Sequence, residues 1–190
     1  MIYRIDVAHQ HYVFSDLKTI TVFAPPKISI ENIPDACGEL TLNPVADVSS
    51  CGSDVTVFKW TFEGGTPATA NTLDPGSITF STPGVKNITL EVTNSCGTVQ
   101  ESIQFELNPL PVVDAGEDKS ICKGEILTLD AIASPEGNYT YSWSSDPVSP
   151  IENANTKSPT IQPDQTTKYT VQIRNTDTGC LEFDEVLVTV

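Results

Sequence analysis

The sequence predicts an all-β protein, a linear array of tandem immunoglobulin-like β-sandwiches, and three observations support this fold class. Fourteen prolines, 11 glycines and a single methionine disfavour helices and favour short strands joined by turns. Apolar and polar residues alternate along many short segments, as expected for strands that bury one face. A pattern of two alternating strands, a polar loop between them and a stop recurs three times along the 190 residues.

This repeat sets the predicted domain boundaries. The closing strands end at residues 22, 107 and 190, which gives spacings of 85 and 83 residues. A unit of this length fits an immunoglobulin-like sandwich. Residues 1–24 are therefore expected to be the C-terminal hairpin of a truncated preceding repeat, and residues 27–107 and 111–190 two complete sandwiches. A lone hairpin is marginal in water, so we expect residues 1–24 to be disordered or to pair with another chain.

The strands of both sandwiches follow from alternation and turn residues, taken in chain order. In the first sandwich they are predicted at residues 28–30, 40–42, 55–62, 78–80, 87–92 and 102–107. In the second they are predicted at residues 126–130, 139–143, 160–161, 169–173 and 185–190. Proline-rich joints at residues 24–27 and 108–111 should be extended and stiff, as in a stalk. A second and compatible interpretation is that these prolines end the strands.

Two tryptophans lie at the repeat spacing. Trp60 and Trp143 are 83 residues apart, each within an alternating strand. An exposed aromatic platform would bind sugars, but a repeated tryptophan inside such a strand is more typical of a sandwich core. We therefore predict a structural core role for both.

Composition excludes several classes of function. Ten basic and 25 acidic residues give a formal net charge of −15, which repels phosphate backbones and anionic lipids. We therefore expect no nucleic-acid partner. No apolar run approaches the ~20 residues of a membrane helix, so we also expect no direct membrane insertion. The first six residues lack the features of a signal peptide. The chain is thus either intracellular or an internal piece of a longer exported protein.

Several of these segments resemble a known family. The segment FKWTFEGG at residues 58–65 resembles the Y-x-W-D-F-G-D-G signature of polycystic-kidney-disease (PKD) domains, and residues 79–94 resemble that family's tY-x-x-P-G-x-Y-x-V-T-L-x-V-T-N stretch. Thr61 and Gly64 stand where the signature has aspartate, which weakens the calcium binding implied by some PKD domains. Residues 113–118, 121–124 and 166–171, with Gly179 and Cys180, are similar to PKD-like repeats of giant surface proteins in gliding Bacteroidota.

The resemblance implies a non-catalytic structural or adhesive segment of a large secreted protein, an adhesin or motility filament exported by type IX secretion. It implies an extracellular, outer-membrane-associated location. Its partners would be neighbouring repeats of the same chain, with a surface polysaccharide or another cell-surface protein as ligand. The alternative is a carbohydrate-binding accessory module of a secreted polysaccharide-degrading enzyme, with Tyr139, Tyr141 and Phe80 as candidate sugar contacts.

Catalytic and metal chemistry have little support in the sequence. Carboxylates are plentiful, but acid–base catalysis needs a pair that converges on a pocket, so we expect no enzyme and no cofactor. Asp114, Glu117 and Asp118 near the second joint are weak candidates for binding Ca²⁺. A solvated acidic turn is the simpler interpretation of these three residues.

Five cysteines leave the disulfide pattern open. They are either free thiols or disulfides formed in an oxidising compartment. Repeat spacing pairs Cys37 with Cys96 and Cys122 with Cys180, but in a sandwich these turns lie at opposite ends, beyond the ~7 Å Cα limit. We therefore favour Cys51–Cys96, retain Cys122–Cys180 as the one pairing within the last unit, and keep a bridge from Cys37 to Cys180 across the joint as a further alternative.

Overall fold

A computed structural model describes residues 2–9, 12–19, 25–49 and 56–190. Every regular element in these ranges is a β-strand, and none of the described segments forms a helix long and apolar enough to cross a membrane. The chain begins with an antiparallel hairpin of β1 (Ile2–His9) and β2 (Tyr12–Thr19). Alternation in the sequence predicts this second strand at residues 17–22, whereas in the structure it starts earlier, at Tyr12. Residues 20–24 lie outside the described ranges.

The two repeat copies share a succession of strands, except that the first copy has one additional short strand, β9. The first copy contains β3 (Lys27–Ile30), β4 (Ala36–Cys37), β5 (Leu40–Leu42), β6 (Ala46–Ser49), β7 (Val57–Phe62), β8 (Gly65–Thr66), β9 (Thr69–Ala70), β10 (Ile78–Phe80), β11 (Gly84–Asn94) and β12 (Gly97–Asn108). The second copy contains β13 (Val112–Asp114), β14 (Lys119–Ser120), β15 (Leu127–Thr128), β16 (Ile132–Ser134), β17 (Tyr139–Asp146), β18 (Ile151–Glu152), β19 (Thr160–Ile161), β20 (Thr167–Asn175) and β21 (Leu181–Thr189).

Strand order is equivalent in the two copies, which confirms the predicted fold class of tandem immunoglobulin-like sandwiches. One sheet has the order β4-β12-β11-β7-β9 in the first copy and β14-β21-β20-β17 in the second. The facing strands are ordered β5-β10-β8 and β15-β19-β18, with the pairs β3-β6 and β13-β16 beside them. In both copies a two-residue strand runs parallel to the last strand, β4 to β12 and β14 to β21, while the other described pairings are antiparallel.

Alternation along the long strands places the core. In β7 the side chains of Trp60 and Phe62 are buried, whereas Val57, Lys59 and Thr61, which alternate with them on the opposite face, are exposed. The buried apolar side chains of the first copy are Ile30, Trp60, Phe62, Ile78, Phe80, Ile88, Leu90, Val92, Phe105 and Leu107. Those of the second copy are Val113, Ala115, Leu129, Ala131, Trp143, Ile161, Tyr169, Val171, Ile173, Cys180, Val186 and Val188.

Backbone contacts divide the chain into two compact units whose limits are not those of the sequence repeats. The first unit comprises Met1–Ile33, Thr41–Thr79 and Lys86–Gln104. The second comprises Pro34–Leu40, Phe80–Val85 and Phe105–Val190. The residues around Cys37 thus cluster with the second unit, although they belong by sequence to the first copy. The domain limits at 1–24, 27–107 and 111–190 stay a prediction.

Candidate functional site

The two repeated tryptophans have matching surroundings. Trp60 in β7 is 0% exposed and Trp143 in β17 is 5% exposed. Each indole N–H donates a 3.1 Å hydrogen bond to a backbone carbonyl, that of Thr72 in the first copy and that of Thr156 in the second. Because a buried ring cannot stack on a sugar, neither tryptophan offers a platform for a glycan.

The tyrosines considered for sugar contact also have structural contacts. Tyr139 and Tyr141 lie on the same face of β17 as Trp143 and pack, partly buried, against the core of the second copy. The Tyr139 hydroxyl donates to the carbonyl oxygen of Pro135 at 2.9 Å. Desolvation raises the pKa of Tyr141, with the neighbouring Tyr139 and Asp130 acting in the same direction. Only part of each ring is open to a ligand.

The third aromatic candidate, Phe80, is not available to a ligand. Its side chain is 0% exposed and meets the ring of Phe105 edge-on, with 5.2 Å between ring centroids. The proposal of Phe80 as a sugar contact is therefore wrong. Ile78, two residues earlier on the same strand β10, is also buried, so alternation directs the ring of Phe80 into the core.

An exposed aromatic that the sequence analysis missed lies on the last strand. Phe183 in β21 is 64% exposed and lies opposite Gln172 of β20. Gln172 also lines a depression of about 250 Å³, together with Arg174 and Tyr141. Alternation along β21 places Phe183 and Leu187 on one face. Only the burial of Val186 and Val188 on the opposite face shows that the face of Phe183 points outward. The outer face of this sheet thus combines an exposed ring with polar groups.

The acidic residues near the second joint are engaged by the backbone. Asp118 accepts a 2.8 Å hydrogen bond from the amide of Leu187, and Asp114 accepts one of 2.8 Å from the amide of Gly116. Glu117 is exposed on the same loop. Within the described ranges, no three His, Cys, Asp or Glu residues are grouped so that they could hold a metal ion. Ca²⁺ binding by these residues stays a prediction.

The contact made by Asp118 recurs in the first copy. There Asp35 accepts a 2.7 Å hydrogen bond from the amide of Glu106. Both aspartates immediately precede the two-residue strand that runs parallel to the last strand, so each fastens that strand in place. Asp35 and Asp118 are 83 residues apart, the same spacing as the tryptophans, and this repeat-spaced aspartate was the signal that could have identified the contact.

A disulfide joins Cys37 to Cys180, which was the remaining alternative from the sequence. The Cα atoms are 5.7 Å apart, and 143 positions separate the two residues in the chain. The Cys122–Cys180 pairing is therefore wrong. Cys180 lies just before β21, whereas Cys122 follows β14, whose residues pair with the end of β21. A nine-residue strand separates these positions by roughly 25–30 Å, far beyond the reach of a disulfide.

Two further cysteines among the described residues are free thiols. Cys96 is half-buried in the turn between β11 and β12, and Cys122 is exposed in the turn after β14. Cys51, the partner predicted for Cys96, lies outside the described residues. Cys37 and Cys180 are both assigned to the second unit, so the bond fastens the segment around Cys37 within that unit.

A larger concave surface in the second copy is polar. A cleft of about 530 Å³ in the second copy is lined by residues that include Gln162, Asp164, Gln165 and Thr167. Asp164 is the one carboxylate among the described residues that line it. Acid–base hydrolysis needs a second group converging on the same space, so this cleft presents hydrogen-bonding groups without a catalytic pair.

Comparisons with known proteins return resemblances to solved structures. No protein-family model and no curated protein matches the chain. The I67–I69 domains of titin match at 14% identity and a TM-score of 0.49, over 89% of this chain and 66% of the titin fragment. Fibronectin(III)-like modules of Clostridium thermocellum CbhA match at 14% identity and a TM-score of 0.41, over 86% of this chain and 94% of theirs. A SusE-like polysaccharide-binding protein of Bacteroides thetaiotaomicron matches at 12% identity and a TM-score of 0.40, over 87% of this chain and 34% of that protein.

Proposed function

We propose that the chain is a non-catalytic structural and adhesive repeat segment of a large secreted cell-surface protein. The observation that carries this proposal is the disulfide between Cys37 of the first repeat copy and Cys180 of the second. Such bonds persist in oxidising environments outside the cytosol. A covalent link between successive copies serves mechanical continuity, which a stalk or filament requires.

The architecture supports the same proposal. Both copies repeat one strand order, one buried tryptophan and one aspartate contact. These shared features form and stabilise the hydrophobic core of each copy, and none of them creates a reactive site. The formal charge of −15 makes copies repel one another, which favours a solvated, extended surface array.

The PKD-like segments supply the finer part of the proposal. They favour an adhesin or motility filament of the gliding-motility type, exported by type IX secretion as part of a longer chain and associated with the outer membrane. Its partners are then neighbouring repeats of the same chain and a surface polysaccharide or another cell-surface protein. In this proposal the segment contributes length and surface to the parent protein and performs no catalysis.

Surface labelling tests the proposal directly. Antibodies raised against the purified chain should label intact cells that produce the parent protein, and external protease should remove the label. An antibody to a cytoplasmic protein serves as the control for cell integrity. Labelling that appears only after permeabilisation would contradict the surface location.

A carbohydrate-binding role is the second candidate, and the exposure of Phe183 favours it. An exposed ring beside amide and guanidinium groups resembles the apolar face and polar rim that sugars recognise. Phe183 is 64% exposed, and its neighbour Gln172 lines the depression that also contains Arg174. In this alternative the same sheet face would hold a polysaccharide.

Glycan-array binding separates the two candidates. Binding that falls at least tenfold in Phe183→Ala, but not in Leu187→Ala, would support the carbohydrate role. Leu187 is the matched control because it is an exposed apolar residue on the same face of the same strand. Absence of wild-type binding to every glycan would remove this candidate.

A further inference from the structure

We propose that Cys122 and Cys96 are the two open ends of a disulfide series that links successive repeat copies head to tail. In this series the cysteine at or just after the short parallel strand of one copy bonds to the cysteine in the last hairpin turn of the next copy. The Cys37–Cys180 bond is the member of the series that is closed within this chain. The proposal deepens the proposed function by naming the partner: another copy of the same repeat.

Each copy carries one cysteine at either end of its last strand. In the first copy, Cys96 directly precedes β12, and Cys37 pairs with Asn108 at the end of that strand. Twelve residues of extended chain separate these ends by roughly 35–40 Å. In the second copy, Cys180 precedes β21, and Cys122 follows the strand that pairs with its end. No copy can therefore close its own pair.

The free cysteines lie in the same regions of the fold as the bonded ones. Cys37 is the last residue of the short strand β4, and Cys122 lies two residues after the equivalent strand β14; each is followed closely by a glycine with positive φ. In both copies the residue after the short strand donates an equivalent hydrogen bond to the last strand, from the amide of Gly38 to the carbonyl of Asn108 at 2.8 Å and from the amide of Ile121 to the carbonyl of Thr189 at 3.0 Å.

The hairpin turns of Cys96 and Cys180 also begin alike. Asn94 and Asn175 end the preceding strands, and each side-chain oxygen accepts a 2.9 Å hydrogen bond from the amide two residues later. Cys96 therefore occupies in the first copy the turn that Cys180 occupies in the second. Because Cys180 receives its bond from the preceding copy, Cys96 is placed to receive one as well.

The direction of the closed bond fixes which partner each free cysteine needs. The bond joins the end of the short parallel strand in the first copy to the hairpin turn in the second copy, so Cys122 should bond to the following copy and Cys96 to the preceding copy. A second molecule of this chain can supply the missing partner, through a bond from Cys122 of one molecule to Cys96 of the next. Two thiols lose two electrons and two protons as one S–S bond forms. Oxidised glutathione accepts both, becoming two molecules of reduced glutathione.

The test uses the full chain with Cys51→Ser, so that Cys96 and Cys122 are the reactive thiols beside the closed bond. Concentrated protein is oxidised with oxidised glutathione, separated on non-reducing gels and mapped by peptide mass spectrometry. We expect a ladder of cross-linked species in which Cys96 of one molecule is bonded to Cys122 of another. Adding Cys122→Ser or Cys96→Ser should each abolish the ladder. Mixing the two serine variants should restore a dimer that grows no further.

Several outcomes would overturn the proposal. One is the formation of dimers by either double variant (Cys51→Ser with Cys96→Ser or with Cys122→Ser) on its own. Another is a ladder that contains Cys96–Cys96 or Cys122–Cys122 bonds. The third is a Cys51→Ser protein that stays monomeric under oxidation. Mapping must also find the Cys37–Cys180 peptide intact, which confirms the fold in each variant. Surface labelling of cells does not depend on these thiols, so failure here is distinguishable from failure of the proposed function.

Discussion

Trp60 and Trp143 show how one residue type can fill the core and also satisfy a polar group. Each ring is buried, and its N–H reaches a loop carbonyl 12 or 13 residues further along the chain. A buried donor without a partner costs about 1–3 kcal/mol, so the loops carrying Thr72 and Thr156 must follow a fixed path. At this scale, the tryptophan couples core packing to loop conformation.

Replacing Trp143 with phenylalanine should lower the free energy of unfolding by about 2–4 kcal/mol. The smaller ring leaves a cavity and deprives the carbonyl of Thr156 of its donor. Urea denaturation followed by circular dichroism measures the loss. In this variant Trp60 is the remaining tryptophan, so fluorescence also reports the first copy separately.

The control for this substitution is Phe183→Leu. Phe183 is largely exposed, and surface substitutions usually change stability by less than about 0.5 kcal/mol. An unchanged unfolding free energy in Trp143→Phe would show that the ring is not an essential part of the core.

The sequence predicted buried tryptophans but not the exposed phenylalanine, for a physical reason. In β7 the residues between the aromatics are mostly polar, so alternation identifies the buried face. In β21 both faces carry apolar residues: Phe183 and Leu187 on one, Val186 and Val188 on the other. Period-two alternation then identifies two faces without saying which one meets the core.

At the scale of elements, the short strands β4 and β14 matter more than their two-residue length suggests. Each pairs in parallel with the last strand of its copy, and each follows an aspartate that accepts an amide hydrogen bond from that strand. Two residues provide few ladder bonds, so the side-chain contact supplies a substantial share of what holds the strand. These strands position Cys37 and Cys122 at the end of their copies.

Replacing Asp118 with alanine should release β14 from β21. The amide of Leu187 loses its acceptor, which should lower the unfolding free energy by about 1–2 kcal/mol. Hydrogen exchange at Leu187 should accelerate, because its amide becomes open to water. Asp118→Asn retains an acceptor oxygen and should restore part of the stability.

Glu117→Ala is the matched control for Asp118→Ala, because Glu117 is an exposed carboxylate on the same loop. It should change stability by less than about 0.5 kcal/mol. Equal effects of the two substitutions would indicate that removal of negative charge, and not the hydrogen bond, is responsible.

Sequence patterns could not reveal these strands or the disulfide. A two-residue strand such as Ala36–Cys37 has no alternation to detect, and its parallel pairing with β12 depends on residues some 70 positions away. The 84-residue spacing of Cys96 and Cys180 is equally compatible with bonds within copies and bonds between them. The length of the last strand distinguishes them, because it holds the two cysteines of one copy too far apart for a disulfide.

At the scale of the whole molecule, the Cys37–Cys180 bond closes most of the chain into a loop. The loop spans 143 positions, and a chain-entropy treatment assigns about 5 kcal/mol to a closure of this length. Both bonded residues lie in the second unit. In this treatment the bond stabilises the fold mainly by lowering the conformational entropy of the unfolded chain, and much less through local packing.

Reduction of this bond should lower the unfolding free energy by about 2–5 kcal/mol. Denaturation curves with and without a phosphine reductant provide the measurement. The double variant Cys37→Ser, Cys180→Ser should match the reduced protein and should not respond to the reductant. Identical curves for oxidised and reduced wild-type protein would argue against the bond.

The same bond redirects tension. When the two termini of the chain are pulled apart, load passes from residue 37 to residue 180 through sulfur and bypasses the residues between them. Those residues include the strands β5 to β20, so most of both cores is shielded from stretching. Once the bond is cleaved, unfolding of this segment would add roughly 480 Å of contour length, an extension that single-molecule force spectroscopy would record. A chain built this way bears tension through its covalent backbone and the disulfide, and its folded sandwiches are not what yields first.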